Sequence, residues 1–224
     1  MMQTTASTTF VPGKVEVREI KNPIPPLALF QSIGSLPNSF FLDSALLRKG
    51  LSRYSFLGWE PFLVIKTKGN EITLSDSSGV VQKQGNPFEE LRHLLKAFQV
   101  EERDTGIPFI GGAVGYLAYD LCHFIEHLPS STLNDIEFPE MYFGFYDSVV
   151  AYDHSEKRCF LVGRNLDEVS KERTLRLLHK SSFGTAISKK TKGRSLKGNF
   201  TKEGYLESVR HAKEYISQGD IYQI

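Results

Sequence analysis

Cysteine is scarce in this chain: Cys122 and Cys159 are the only two in 224 residues. They sit far apart, with no metal-ligand spacing around either. A chain of this length buries enough apolar surface to fold without covalent staples. Two buried, reduced thiols are therefore expected, and a disulfide framework is not. Charge of one sign is also lacking. Lys plus Arg is 27 against 26 for Asp plus Glu, a net charge of +1, so no global field draws in nucleic acid or an anionic membrane. No apolar run approaches the roughly 18–20 residues of a membrane-spanning helix. Met1–Thr9 has neither a basic nor an apolar region of the secretory kind, and a cytoplasmic protein is expected. The nucleophile elbow G-x-S-x-G is missing, as is any cysteine–histidine arrangement of familiar context.

What is present reads as short strands and a few helices. Residues 11–39 carry Pro12, Pro23, Pro25, Pro26 and Pro37. That proline density predicts a lead-in of extended pieces, with one short helix near Leu27–Phe30. Strands are expected at Phe40–Ser44 and Arg53–Gly58, then at Phe62–Thr67 and Glu71–Leu74 around a turn at Lys68-Gly69-Asn70. Ser78-Gly79 and Val80-Val81 suggest a further turn and strand, and such a meander belongs to an antiparallel sheet. Asn86 is a good N-cap and Pro87 suits the first helical position. Phe88, Leu91, Leu94, Leu95 and Phe98 then form one apolar stripe at helical spacing. Further strands are expected at Pro108–Tyr116, Met141–Tyr152 and Arg158–Val162, with a second helix over Leu166–Lys180.

Residues 181–200 hold five Lys or Arg, no acidic residue and several Ser and Gly, the composition of a flexible linker. The absence of interleaved aromatics argues against a nucleic-acid arm. A last helix follows, capped by Thr201 and stopped by Gly219. Its stripe is Tyr205, Val209, Ala212 and Ile216, and Ile221–Ile224 reads as the opening of a strand.

Candidate chemistry is thin. Gly111-Gly112-Ala113-Val114-Gly115 is neither a P-loop nor G-x-G-x-x-G; glycines in a strand more often mark a bulge or a close backbone approach. His123 and His127 are four apart, but Pro129 ends the segment and no third ligand is evident, so a partly exposed helical turn is expected rather than a metal site. Asp120, Glu126, Asp135, Glu137 and Glu140 read as a solvated acidic face, with nothing to fix a catalytic pair.

Four ordered segments resemble the large subunit of aminodeoxychorismate synthase and, slightly less closely, of anthranilate synthase. They are Phe41-Leu42-Asp43-Ser44 with Ser52–Gly58 and Glu60-Pro61-Phe62; Phe109–Tyr116 with Tyr119-Asp120-Leu121; Glu126-His127-Leu128-Pro129 with Pro139–Asp147; and Phe200–Glu203 through Gly219–Ile224. The third favours the aminodeoxychorismate branch. The resemblance implies an α+β fold of antiparallel β-sheets packed with helices, part of the chorismate-utilising-enzyme fold. It also implies a lead-in over 1–37, an anthranilate synthase component I-like N-terminal domain over 38–180, a basic linker over 181–200 and the start of the chorismate-binding catalytic domain over 201–224.

The implied activity is amination of chorismate to 4-amino-4-deoxychorismate, for p-aminobenzoate and folate. Ammonia would come from a glutamine amidotransferase partner, component II. The catalytic residues and the Mg2+ ligands are expected beyond Ile224, which would leave this chain inactive by itself. The residues that carry over are those of a tryptophan pocket: Ser44, Leu51, Ser52, Arg53 and Tyr54. An indole needs apolar walls, and the charged ends of an amino acid need a few directed polar groups, for which Ser44 Oγ and nearby backbone groups are candidates. The alternative for these positions is structural, with Ser44 a polar strand residue and Arg53 an ion-pair partner. Two other functions stay open: an anthranilate synthase component I fragment, and a non-catalytic tryptophan-binding regulatory module.

Overall fold

Short apolar runs separated by turn residues fold into two five-stranded antiparallel sheets. The structure is a computed structural model, and it describes residues 14–46, 48, 51–99, 105–129, 137–164, 166, 172, 174 and 198–224. The chain divides into two units, Met1–Phe183 and Gly184–Ile224.

In the first unit, β1 (Val15–Ile20), β2 (Phe40–Leu42) and β3 (Tyr54–Gly58) join β9 (Ser148–Asp153) and β10 (Arg158–Arg164) in the order β1-β10-β9-β3-β2. The second sheet is β6-β5-β4-β8-β7, made of β4 (Leu63–Lys68), β5 (Glu71–Asp76), β6 (Gly79–Gln84), β7 (Gly112–Leu117) and β8 (Met141–Tyr146). The sheets are packed with helices, as the α+β expectation has it.

Helix α1 (Pro26–Ile33) covers one face of the first sheet, where Leu29 and Ile33 meet Leu57, Val150 and Leu161. The other face is also apolar: Val149, Ala151 and Val162 pack with Ile107, Phe109 and Phe56. Burial on both faces explains why β9 reads as a continuous apolar run rather than an alternation. Helix α2 (Pro87–Ala97) covers the second sheet. Its cap is the expected one, with Asn86 Oδ1 accepting from the N–H groups of Phe88 at 2.9 Å and Glu89 at 3.2 Å. Phe88, Leu91, Leu94 and Phe98 pack against Ile65, Met141 and Phe145. Leu95, expected in that stripe, is 48% exposed.

The structure corrects several local expectations. Met141–Tyr152 is not one strand. It is β8 and β9 in different sheets, and the chain crosses over at Asp147. β2 stops at Leu42, because the Ser44 N–H leaves the ladder for Ser55 Oγ at 3.0 Å. The lead-in contains a full strand, β1, paired along its length with β10. β7 starts only at Gly112, and its glycines mark a close approach: a Cβ on Gly115 would lie 1.8 Å from the carbonyl oxygen of Tyr142. Glu140 is not simply solvated, since its Oε2 accepts from Gly69 N–H at 2.9 Å. Helical geometry ends at Phe124, in a short 3-10 helix (Tyr119–Phe124), so His123 and His127 share no helix face. Both cysteines are free; Cys159 is buried but Cys122 only half-buried. Most of the expected helix over 166–180 and most of the 181–200 linker lie outside the described residues.

The second unit contains α3 (Lys202–Gln218). Thr201 Oγ1 accepts from Gly204 N–H at 3.1 Å, and Gly219 ends the helix in a left-handed conformation with φ 83°. Tyr205, Val209 and Ile216 of its stripe are exposed. Residues 221–224 form no strand; a strand needs a ladder partner. Among the described residues no helix is long and apolar enough to cross a membrane.

Candidate functional site

The antiparallel pairing of β2 with β3 sets Leu42 opposite Phe56, which carries the chain after β2 past Ser55 and Tyr54. Ser44 Oγ donates to the Tyr54 carbonyl at 2.7 Å. The loop that follows closes on itself: Arg48 pairs with Ser52 in an isolated bridge, and Ser52 Oγ accepts from Arg48 N–H at 2.8 Å and donates to Leu46 O at 2.5 Å. β3 then pairs with β9, Tyr54 opposite Asp153, and so brings up the β9–β10 turn with Ser155 and Glu156.

These segments border an open cavity of about 1070 Å³. All five residues expected from the sequence, Ser44, Leu51, Ser52, Arg53 and Tyr54, line it. Phe41, Leu42, Phe56 and Pro108 add apolar wall, while Asp43, Arg48, Ser155 and Glu156 add polar groups. Phe56 is held from behind by Phe109, edge-on at 5.4 Å between ring centroids. Tyr54 stacks on Phe56 at 6.0 Å, and its hydroxyl donates to Gly106 O at 3.1 Å. Leu51 is 83% exposed and so sits at an open rim.

The polar groups are partly occupied by the protein itself. Arg53 Nε donates to Asp153 Oδ1 at 3.0 Å and Oδ2 at 2.9 Å, and Nη2 donates to Oδ2 at 2.5 Å. The ion-pair reading of Arg53 is therefore correct, and it coexists with a place on the cavity wall. Among the described residues Arg53 Nη1 makes no hydrogen bond and stays available to a ligand anion. Asp153 Oδ1 also accepts from the N–H groups of Ser155 at 2.9 Å and Glu156 at 3.1 Å, fixing the turn. Burial pushes the Asp153 carboxyl up, but the hydrogen bonds from Arg53, Glu156 and Ser155 outweigh it and hold the group below its ordinary value. Ser44 Oγ has given its hydrogen to Tyr54 and retains only acceptor capacity. Asp43, quoted in the sequence only as part of a motif, has Oδ1 bound by Ser55 Oγ at 2.8 Å; among the described residues its Oδ2 takes no hydrogen bond.

Asp43, Asp153, His154, Ser155 and Glu156 escaped the sequence analysis as site residues. The gap between the expected strands Met141–Tyr152 and Arg158–Val162 leaves room for a turn, but its position beside Arg53 depends on the β3–β9 pairing. Among the described residues no three His, Cys, Asp or Glu side chains gather as a metal site needs, so none is assigned to magnesium.

Two antiparallel sheets packed with helices, with a mixed apolar and polar cavity at one sheet's end, define an α+β protein. The chain belongs to the chorismate binding enzyme family, whose sequence model matches residues 41–224. It is 29% identical to anthranilate synthase component 1 of Acetivibrio thermocellus, over 89% of this chain and 44% of that protein. It is 31% identical to anthranilate synthase component 1 of Methanothermobacter marburgensis, over 94% and 42%. With aminodeoxychorismate synthase component 1 of Bacillus subtilis it shares 28%, over 77% and 38%. The chain thus spans less than half the length of these curated relatives. The crystal structure of anthranilate synthase component I from Streptococcus pneumoniae shares the fold, with a TM-score of 0.53 at 19% identity over 89% of this chain and 45% of that one.

Proposed function

We propose that this chain is the N-terminal part of an aminodeoxychorismate synthase component I, and that its cavity binds an amino acid, tryptophan. The convergence of Ser44, Leu51, Ser52, Arg53 and Tyr54 on one cavity carries the second half of this reading. Phe41, Leu42, Tyr54 and Phe56 suit an indole, Arg53 Nη1 suits a carboxylate, and Asp43 Oδ2 or Glu156 suits an ammonium group. The segments Glu126–Pro129 and Pro139–Asp147 support the aminodeoxychorismate branch. Relatives of both product types at similar identity keep anthranilate synthase as the second reading.

In the whole protein, chorismate and ammonia would give 4-amino-4-deoxychorismate, with Mg2+ present and a glutamine amidotransferase, component II, supplying the ammonia. The residues described here would hold the amino acid and take no part in the chemistry. Two measurements test the proposal. Mass spectrometry of the whole protein's product from chorismate, ammonia and Mg2+ should find 4-amino-4-deoxychorismate; anthranilate would overturn the branch. Calorimetric titration with L-tryptophan should give saturable heat, and a flat trace would overturn the pocket assignment.

A further inference from the structure

We propose that His154 is a positioning residue for the cavity wall, acting through Ser55 on Asp43 and Ser44. Ser55 is fully buried, and a serine hydroxyl offers one hydrogen and two lone pairs. Three groups meet it. The Ser44 N–H, at 3.0 Å, needs a lone pair. Asp43 Oδ1, at 2.8 Å, is a carboxylate oxygen and takes the hydrogen. His154 Nε2 lies 2.7 Å away. With the hydrogen given to Asp43, only a lone pair is left for the imidazole, so Nε2 must carry a proton. The Nε2–H tautomer and the imidazolium both satisfy this; the Nδ1–H tautomer would set two lone pairs against each other at 2.7 Å.

The fold holds His154 in place independently of the cavity. Its backbone N–H donates to Arg53 O at 2.9 Å, and its ring meets the ring of Tyr152 edge-on at 5.0 Å. Tyr152 lies opposite Ser55 in the β3–β9 ladder, so the register delivers the ring to the hydroxyl. By donating to the remaining lone pair, His154 holds the Ser55 hydroxyl in the orientation that gives its hydrogen to Asp43. That hydrogen fixes Asp43 Oδ1 and orients the second oxygen, which takes no hydrogen bond among the described residues, toward a ligand. The same hydroxyl anchors the Ser44 backbone. His154 does not itself line the cavity, whereas Asp43 and Ser44 do.

The consequence for ligand affinity rests on the amino-acid reading of the cavity, so the test has a ligand-free arm. Nitrogen-15 histidine spectra of the unliganded protein at about pH 8 should show His154 protonated at Nε2. An Nδ1–H tautomer would overturn the proposal. The carboxyl carbon-13 signal of Asp43 should move in His154→Phe and stay near its wild-type position in His154→Gln, whose amide N–H reaches the same place. His154→Ala, a smaller change, should move it as His154→Phe does and serves if the phenylalanine variant does not fold. An Asp43 signal unmoved in these variants would overturn the proposal. For L-tryptophan, Kd should stay within about twofold in His154→Gln and rise about five- to tenfold in His154→Phe, the effect of one hydrogen bond. Equal affinity in both variants would overturn the role in binding. If the wild-type protein binds no tryptophan, the amino-acid reading fails, and the two ligand-free measurements still decide on His154.

Discussion

Replacing Asp153 with alanine should loosen the β9–β10 turn and one wall of the cavity with it. The side chain is 3% exposed, and its carboxylate serves two backbone N–H groups and the Arg53 guanidinium. Arg53 is half-exposed, so water takes over its donors and its loss of partner weighs little. The backbone groups decide the magnitude. Removing the acceptor from an equivalent helix cap costs about 0.5–2 kcal/mol. With the added burial of unsatisfied donors, Asp153→Ala should cost about 2 kcal/mol. Asparagine keeps a neutral acceptor at the same place, so Asp153→Asn should cost about 1 kcal/mol or less. Urea unfolding followed by circular dichroism measures both.

The pH dependence has a definite sign. The folded carboxyl is held below its ordinary value. Its stabilisation is therefore fully present above about pH 4, the unfolded value, and is lost as pH falls through the lower folded value. The wild-type margin over Asp153→Asn should narrow below about pH 4. If asparagine costs as much as alanine, charge rather than acceptor geometry holds the turn. A margin that stays constant down to about pH 2 would refute the depressed carboxyl.

Two further outcomes follow from the packing. Gly115→Ala puts a methyl group 1.8 Å from the Tyr142 carbonyl oxygen and should lower stability by about 2–3 kcal/mol; an unchanged urea midpoint would mean that β7 shifts freely. Burial pushes the Cys159 thiol up to about 12, so in native protein a thiol reagent should modify Cys122 alone, with Cys159 reacting only after unfolding. Two equally fast thiols would contradict the burial of β10.

Local signals were the legible ones. Asn86-Pro87 with its stripe located α2, and Lys68-Gly69-Asn70 located the β4–β5 turn, because cap and turn chemistry act over a few residues. β1 was not legible as a strand: its alternation Val15-Glu16-Val17-Arg18 fails at Glu19, and only pairing with β10 makes it one. The β8–β9 crossing at Asp147 hid inside a run that is apolar on both sides of the break. The site divides the same way. Ser44 and Leu51–Tyr54 came with the family resemblance and lie close together in sequence. Asp153, His154 and Glu156 arrive from about a hundred positions further on, through a strand register that no local pattern encodes.

The pairing of Val15 with Arg164 also sets a schedule for folding. The β4–β5–β6 meander closes through short loops and can form while the chain is still emerging from the ribosome. The first sheet forms later, because β1 has its ladder partner only in β10 and the β2–β3 pair joins the sheet only through β9. Non-local pairing of this kind is slow. During synthesis the apolar edges of β1 and β3 stay exposed the longest, which makes them the segments most in need of a chaperone.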